Sequence, residues 1–224
     1  MTSTWLSYAP GDLLLFSERV YWRMFVLENT ALWPLPLIAP VAAVGAVIWS
    51  TRRPRAGLRV LAVLLALAWV SVGWHFVWHR YALINWAMVY AAPAFVVQAA
   101  LCTILAVRAP TEERPAPLHK AAGLGFVLAG AAVYPWLAVV QGRTLAGAEI
   151  MAVAPDPTAV ASIGLPFLAC TGRYRALLLL VPLAWLAQSS VTLFFLSGGA
   201  AAMPPALAVI AALGVVAGRD AGAR

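Results

Sequence analysis

Long apolar runs, interrupted only by short charged connections, recur from about residue 33 to residue 218. A run of about 20 apolar residues is long enough for a helix to cross a bilayer. Of the 224 residues, 63% are hydrophobic and 10% are charged, and the mean hydropathy is +0.88. One soluble domain cannot bury that much apolar surface and keep a wettable exterior. The sequence therefore predicts an all-α integral membrane protein.

The limits of the apolar runs predict a bundle of about seven transmembrane helices. The predicted spans are approximately residues 33–50, 58–78, 84–107, 121–140, 157–171, 176–196 and 202–218. An amphipathic helix is predicted before them, over residues 12–30. Its apolar residues recur at three- and four-residue steps and are Leu13, Phe16, Val20, Met24 and Leu27. The charged residues between them make this helix too polar to span, so we expect it at the membrane surface or across the mouth of the bundle.

The positions of the basic residues predict the orientation. The connections after the first, third, fifth and seventh spans hold eleven of the 15 Lys and Arg residues, namely Arg52, Arg53, Arg55, Arg59, Arg108, Arg114, Lys120, Arg173, Arg175, Arg219 and Arg224. The other side holds four, namely Arg19, Arg23, Arg80 and Arg143. Because cytoplasmic connections are rich in Lys and Arg, we expect a cytoplasmic C-terminus and an N-terminus outside, which in a bacterial inner membrane is the periplasm.

This orientation divides the chain into a periplasm-side leader (1–32), a transmembrane domain (33–218) and a cytoplasmic tail (219–224). The N-terminus lacks the features of a cleaved secretory signal, so we expect the first span to be retained. Several tryptophans then fall near the outer interface, as in aromatic belts, and they are Trp33, Trp74, Trp78, Trp86 and Trp136. The basic residues lie at the ends of apolar runs and not along one face, so we expect membrane lipid and no nucleic acid as a partner.

Polar side chains of the outer half are the candidates for a site, because a polar group in hydrocarbon must find a partner or water. Under the predicted orientation they could converge at one mouth of the bundle. The expected ligand-binding set is Glu28, Asn29, His75, Asn85, Tyr134 and Asp156. The connection from Gln141 to Asp156 adds Arg143 and Glu149, to which the sequence assigns no role.

The stretch from Trp74 to Asn85 holds two of the three histidines. Ser71, His75 and His79 are four residues apart, so they would form one stripe on an α-helix, and His75 and His79 with Asp156 could bind a divalent metal. An alternative is that His75 bonds a buried carbonyl or Asn85, while His79 lies at the headgroups beside Trp78. Asp156 has an ordinary role too, as the cap of the helix that follows.

Common catalytic motifs do not occur in the sequence. It contains no Gly-x-Ser-x-Gly elbow, P-loop, dinucleotide fingerprint or CxxCH haem site, which argues against the chemistries that depend on them. Cys102 and Cys170 lack CxxC spacing, so we expect reduced packing residues. His119 is predicted on the opposite side from His75, so a b-type haem held by these two histidines is hard to build.

Several segments together resemble a family of uncharacterised bacterial multi-pass membrane proteins, known only as a domain of unknown function. The matching segments are Asn29-x-Ala31-x-Trp33-Pro34, Trp69-x-x-x-Gly73-x-His75, Ile84-Asn85-x-Ala87, Gln98, Tyr134-Pro135 and Pro155-Asp156-Pro157-Thr158. The resemblance implies an integral membrane fold and brings no substrate, cofactor or mechanism. Glu28 stands where the family pattern has an aromatic residue, and His79 lies outside the pattern.

Three functions fit the sequence. The first is a protein that binds or transports a small solute or cation through a periplasm-side polar pocket. The second is an accessory subunit of a larger membrane complex, and the third is a membrane-embedded metal-dependent enzyme. The sequence does not decide whether the chain is an enzyme, and we rank a non-catalytic function first.

Overall fold

The computed structural model describes residues 16–108 and 115–221, and these residues form helices and connections without a strand. Some predicted regions lie outside the described residues: 12–15 of the amphipathic helix, 109–114 of the connection after the third predicted span, and 222–224 of the tail. The α-helices are α1 Glu18–Ala31, α2 Leu35–Arg52, α3 Pro54–Ser71, α4 Met88–Arg108, α5 Pro117–Leu128, α6 Trp136–Val140, α7 Pro155–Ala169, α8 Gly172–Ser197 and α9 Gly199–Ala221.

Two of these helices continue into π-helical segments. Val72–Trp78 extends α3, and there the His79 N–H donates to the Trp74 carbonyl, five residues back, at 3.2 Å. Ala129–Val133 extends α5, where the Tyr134 N–H donates to the Ala129 carbonyl at 2.8 Å. Pro135 has no N–H and cannot continue the bond ladder, so α6 starts anew after it. Short 3₁₀ turns follow at Tyr81–Leu83 and Leu145–Gly147.

Within the residues that the structure describes, five helical segments are long and apolar enough to cross a membrane, which indicates a multi-pass membrane protein. They are Leu35–Arg52, Pro54–Leu83, Met88–Arg108, Gly172–Ser197 and Gly199–Gly218. The fourth predicted span corresponds to the shorter apolar helix Pro117–Val133 followed by α6, and the fifth corresponds to α7. The number seven is therefore not confirmed.

Helix α7 is the centre of the bundle. All 15 of its residues are buried, and it packs against α3, α5 and α8. Its closest neighbour is α5, where a Cβ added at Gly164 would overlap the Gly123 carbonyl oxygen and approach the Val127 Cγ2 to 2.6 Å. Small residues at helix crossings let backbones touch, which is how helices associate in lipid. This glycine contact therefore lets the backbones of α7 and α5 pack directly against each other.

The bundle has two ends with different residues. At one end α2, α4, α7 and α9 begin, α3 and α8 end, and the five tryptophans Trp33, Trp74, Trp78, Trp86 and Trp136 are 44–65% exposed. We call it the Asp156 end. The opposite end carries Arg52, Arg53, Arg55, Arg59, Arg108, Arg173 and Arg175. These arginines are among the basic residues from which the orientation was predicted; the orientation itself is not confirmed.

Helix α1 lies across the Asp156 end. Its Phe25 ring stacks on Phe76 with centroids 5.0 Å apart, and Tyr21 meets Tyr81 edge-on at 5.8 Å. The Asn29 Nδ2 donates to the carbonyls of Ala146 and Ala148 at 2.9 and 2.8 Å. The helix therefore covers the connection between α6 and α7, residues 141–154.

Candidate functional site

Asp156 is the second residue of α7 and is 1% exposed. The helix begins after Ala154, which makes no side-chain cap, and the Asp156 carboxylate does not cap the helix either. The expectation that Asp156 acts as the helix cap is therefore wrong. Thr158 stabilises the connection before α7 instead. Its hydroxyl accepts from the Ala152 N–H at 2.9 Å and donates to the Ala154 carbonyl at 2.7 Å. The Asp156 side chain is thus left to other partners.

Three neutral donors surround the Asp156 carboxylate. The Trp185 Nε1–H donates to Oδ1 at 2.7 Å, and Oδ2 accepts from the Ser189 hydroxyl at 2.6 Å and the Tyr134 hydroxyl at 3.2 Å. Trp185 and Ser189 are four residues apart, so they share one face of α8. Tyr134 comes from the turn before α6. The carboxylate ties these three segments together, yet none of its hydrogen-bond donors in the described part of the chain carries a positive charge.

Glu149 is a second buried acid, in the connection that precedes α7. It is 5% exposed, and its Oε2 accepts from the Arg143 Nη2 at 3.3 Å. Its Oε1 is buried and has no hydrogen-bond partner within the described part of the chain. Burial raises the pKa of Glu149 to about 8; the negative charge of Asp156 acts in the same direction and Arg143 opposes it. Glu149 and Asp156 therefore interact electrostatically.

The Arg143 guanidinium contacts several partners. It donates to the Gln141 Oε1 at 2.8 Å and to the Gly147 carbonyl at 3.2 Å, and it lies 3.6 Å over the ring of Trp22 on α1. A cation over an indole face is attracted by the ring quadrupole. Arg143 therefore joins α1 to the connection while pairing with only one oxygen of Glu149.

The two histidines of the Trp74–Asn85 stretch point away from this site. His75 and His79 are exposed, and the His79 ring meets the exposed Trp74 edge-on at 4.6 Å. Ser71 instead bonds the Ala152 carbonyl at 2.8 Å. Ser71 is therefore held inside the bundle while both histidines are exposed, so the three side chains do not share one environment.

No group of three or more His, Cys, Asp or Glu side chains that could hold a metal occurs within residues 16–108 and 115–221. The structure therefore does not bring His75, His79 and Asp156 together as the ligands of a divalent metal. Nor does it pair His75 with Asn85, whose Oδ1 accepts from the Ala87 N–H at 3.3 Å at the start of α4.

The other predicted site residues divide into two groups. Tyr134 is hydrogen-bonded to Asp156, and Asn29 is hydrogen-bonded to the connection that contains Glu149, so both lie near the two buried acids. Glu28 is buried but forms an ion pair with Arg80, so its charge is already balanced. Glu149 was missed by sequence reasoning. The signal in the sequence is that the connection around Glu149 is too apolar for an exposed loop. Glu149 is flanked there by Leu145, Ala146, Ile150 and Met151.

Comparison with known proteins places the chain in one family. Neither the curated proteins nor the solved structures contain a match to it. A family model described as "Family of unknown function (DUF6064)" matches residues 18–218, from the first residue of α1 into the last turns of α9. The match includes Asp156, Glu149 and their partners. The chain therefore belongs to the DUF6064 family, whose function is unknown.

Proposed function

We propose that this protein resides in a bacterial inner membrane and binds, for transport, a small monovalent cation of the ammonium type at Asp156. The observation that carries the proposal is the Asp156 carboxylate, which is 1% exposed and, among the described residues, hydrogen-bonded only to neutral donors. A buried charge without a counter-charge is costly, and in membrane proteins such acids mark ion and substrate pathways.

The balance of charges around Asp156 supports a missing cation. Asp156 and Glu149 interact with each other, and within residues 16–108 and 115–221 a single guanidinium, that of Arg143, faces the pair. With both acids ionised, the cluster has a net charge of minus one. Glu28, equally buried, has its own counter-ion in Arg80. A bound monovalent cation would neutralise the cluster.

The partners of Asp156 favour an ammonium over a metal ion. The Trp185 Nε1–H can only donate, so it cannot be a metal ligand. A carboxylate offers about four lone-pair sites, and three donors occupy three of them. An ammonium N–H could donate to the fourth, and the rings of Tyr134 and Trp185 would favour a cation nearby.

The proposal assumes that the chain crosses the membrane seven times. In addition to the five long helices, residues 117–140 would form one span from α5 through α6, and α7 would be a buried span enclosed by protein. The Asp156 end would then face the periplasm, with the arginines of the opposite end in the cytoplasm. Cysteine labelling at Trp33 and at Arg173 from each side of the membrane tests this arrangement.

Ligand binding is tested by thermal unfolding of the purified protein in detergent, followed through tryptophan fluorescence. Methylammonium chloride is the probe, and sodium chloride at equal ionic strength is the reference. Binding to the folded state raises the melting temperature with ligand concentration. We expect this rise in wild type and in Glu28→Gln, and its loss in Asp156→Asn. An equal rise in Asp156→Asn, or no rise in wild type, contradicts the proposal.

A second candidate function, an accessory subunit, is favoured by α9. This helix exposes large apolar side chains along most of its length, among them Leu207, Ile210 and Leu213. Either lipid or the helices of a partner could cover them. Purification in mild detergent at native expression tests this role: a stable stoichiometric partner that is lost on Ile210→Arg supports it, and a homogeneous single protein argues against it.

A further inference from the structure

We propose that Glu149 binds a proton and releases it when a cation binds at Asp156, so that the site exchanges one for the other. This inference rests on the proposed function, because it requires a cation at Asp156. It adds the coupling ion and a residue to which the sequence had assigned no role.

The geometry of Glu149 supports a bound proton. One of its oxygens pairs with Arg143, while Oε1 is buried without a partner within the described part of the chain. A buried carboxylate oxygen with no donor is costly when ionised. When Oε1 carries a proton it becomes a hydrogen-bond donor. The neighbouring Asn29 has a buried Oδ1 that likewise lacks a partner, so an acceptor exists on the helix that covers Glu149.

The charges that face Glu149 make the exchange electroneutral. They come from Arg143 on the same connection and Asp156 on α7; Tyr21 on α1 and Tyr134 before α6 are uncharged near neutral pH. With Glu149 protonated and Asp156 ionised, Arg143 balances the cluster. With a cation at Asp156 and Glu149 ionised, the cluster is neutral again. Each state avoids the net buried charge that cation binding without proton release, or proton release without cation binding, would leave.

The balance of the step is simple. The O–H bond of Glu149 breaks, its electron pair stays on the carboxylate, and the proton leaves to water as the cation arrives. The raised pKa of Glu149, about 8, keeps the proton in place at neutral pH until the cation adds a positive charge nearby. No oxidant, reductant or other reactant is needed.

The exchange predicts how the affinity for methylammonium depends on pH. One proton released per cation bound makes the affinity rise about tenfold per pH unit below about pH 8, with a plateau above it. Glu149→Gln has no proton to release, and with Arg143 it would leave the cation-bound cluster with a charge of plus one. We therefore expect weaker binding and a flat pH profile in Glu149→Gln, whereas Glu28→Gln keeps the wild-type slope.

A direct measurement uses wild-type protein alone, which guards against a variant that does not fold. Methylammonium chloride is added to the protein in weakly buffered detergent at matched pH, and released protons are counted. We expect close to one proton per protein near neutral pH and close to none well above pH 8. If wild type binds methylammonium with a flat profile and releases no proton, the exchange is refuted while the proposed function stands. If wild type does not bind methylammonium, the proposed function itself fails.

Discussion

Gly164 is the point at which α7 comes closest to α5, and Gly164→Ala tests the packing that positions Asp156. A Cβ there would overlap the Gly123 carbonyl oxygen and lie 2.6 Å from the Val127 Cγ2 and 3.0 Å from the Val127 backbone nitrogen. Two of these three atoms belong to the backbone, so they cannot rotate away as a side chain can. We expect the two helices to be forced apart.

The size of the effect follows from two opposing contributions. Overpacking a close contact costs about 1–3 kcal/mol, and rigid backbone neighbours put this case near the upper value. Replacing a mid-helix glycine by alanine returns about 1 kcal/mol. The net loss is about 2 kcal/mol, which for a chain of this length lowers the melting temperature by about 4–8 °C.

Gly125→Ala on α5 is the matched control, because nothing lies within 4 Å of a Cβ at that position. It removes a helical glycine without a clash, so we expect a gain of about 0.5–1 kcal/mol. Both variants are compared with wild type by tryptophan fluorescence during heating in one detergent. If Gly164→Ala melts at or above the temperature of Gly125→Ala, α7 does not pack on α5 as described.

Three further predictions concern single groups. His75→Ala and His79→Ala should each leave the stability within about 0.5 kcal/mol and the methylammonium-dependent rise in melting temperature intact, because both side chains are exposed; loss of the rise in either variant would restore the histidines to the site. Trp69→Phe removes the Nε1–H that donates to the Ser162 Oγ at 2.7 Å, and it should lower the free energy of unfolding by about 1 kcal/mol; an unchanged value would refute that bond. The folded-state pKa of Glu149 lies above its ordinary value of 4.5, so the folded protein binds more protons between about pH 4.5 and pH 8, and its contribution to stability is lost as pH rises through that window; the difference in pH dependence between wild type and Glu149→Gln, measured by denaturant unfolding, should fall in this window.

Most helices could be located from hydropathy alone. The predicted spans 176–196 and 202–218 lie inside α8 and α9, because an apolar run of that length has few structures open to it other than a helix. The same signal could not describe α7. Its residues are as apolar as those of a lipid-facing span, but protein surrounds it on all sides. An apolar composition predicts that a helix is shielded from water, but it does not distinguish shielding by lipid from shielding by protein.

The site was only partly predictable for a different reason. Asp156 and Tyr134 were expected in one pocket because the predicted topology puts both on the outer side of the bundle. The structure shows them hydrogen-bonded to each other. The four-residue spacing of Ser71, His75 and His79 did not reveal that Ser71 bonds the Ala152 carbonyl while both histidines are exposed. The apolar connection around Glu149 indicates burial, but it does not identify the helix that covers it, α1, which is more than a hundred residues away in sequence.

Helix α1 covers the connection that contains Glu149, and its position therefore affects how a cation would reach Glu149 and Asp156. Trp22 lies on the Arg143 guanidinium, and Asn29 holds the carbonyls on either side of Gly147, so α1 closes the connection from the Asp156 end. The family match begins at residue 18, the first residue of α1, so the family includes this helix as well as the spans. Because Arg143 contacts both Trp22 and Glu149, a movement of α1 would alter the counter-charge of Glu149 as it opened the site. Access to the pair and release of its proton would then depend on the same guanidinium.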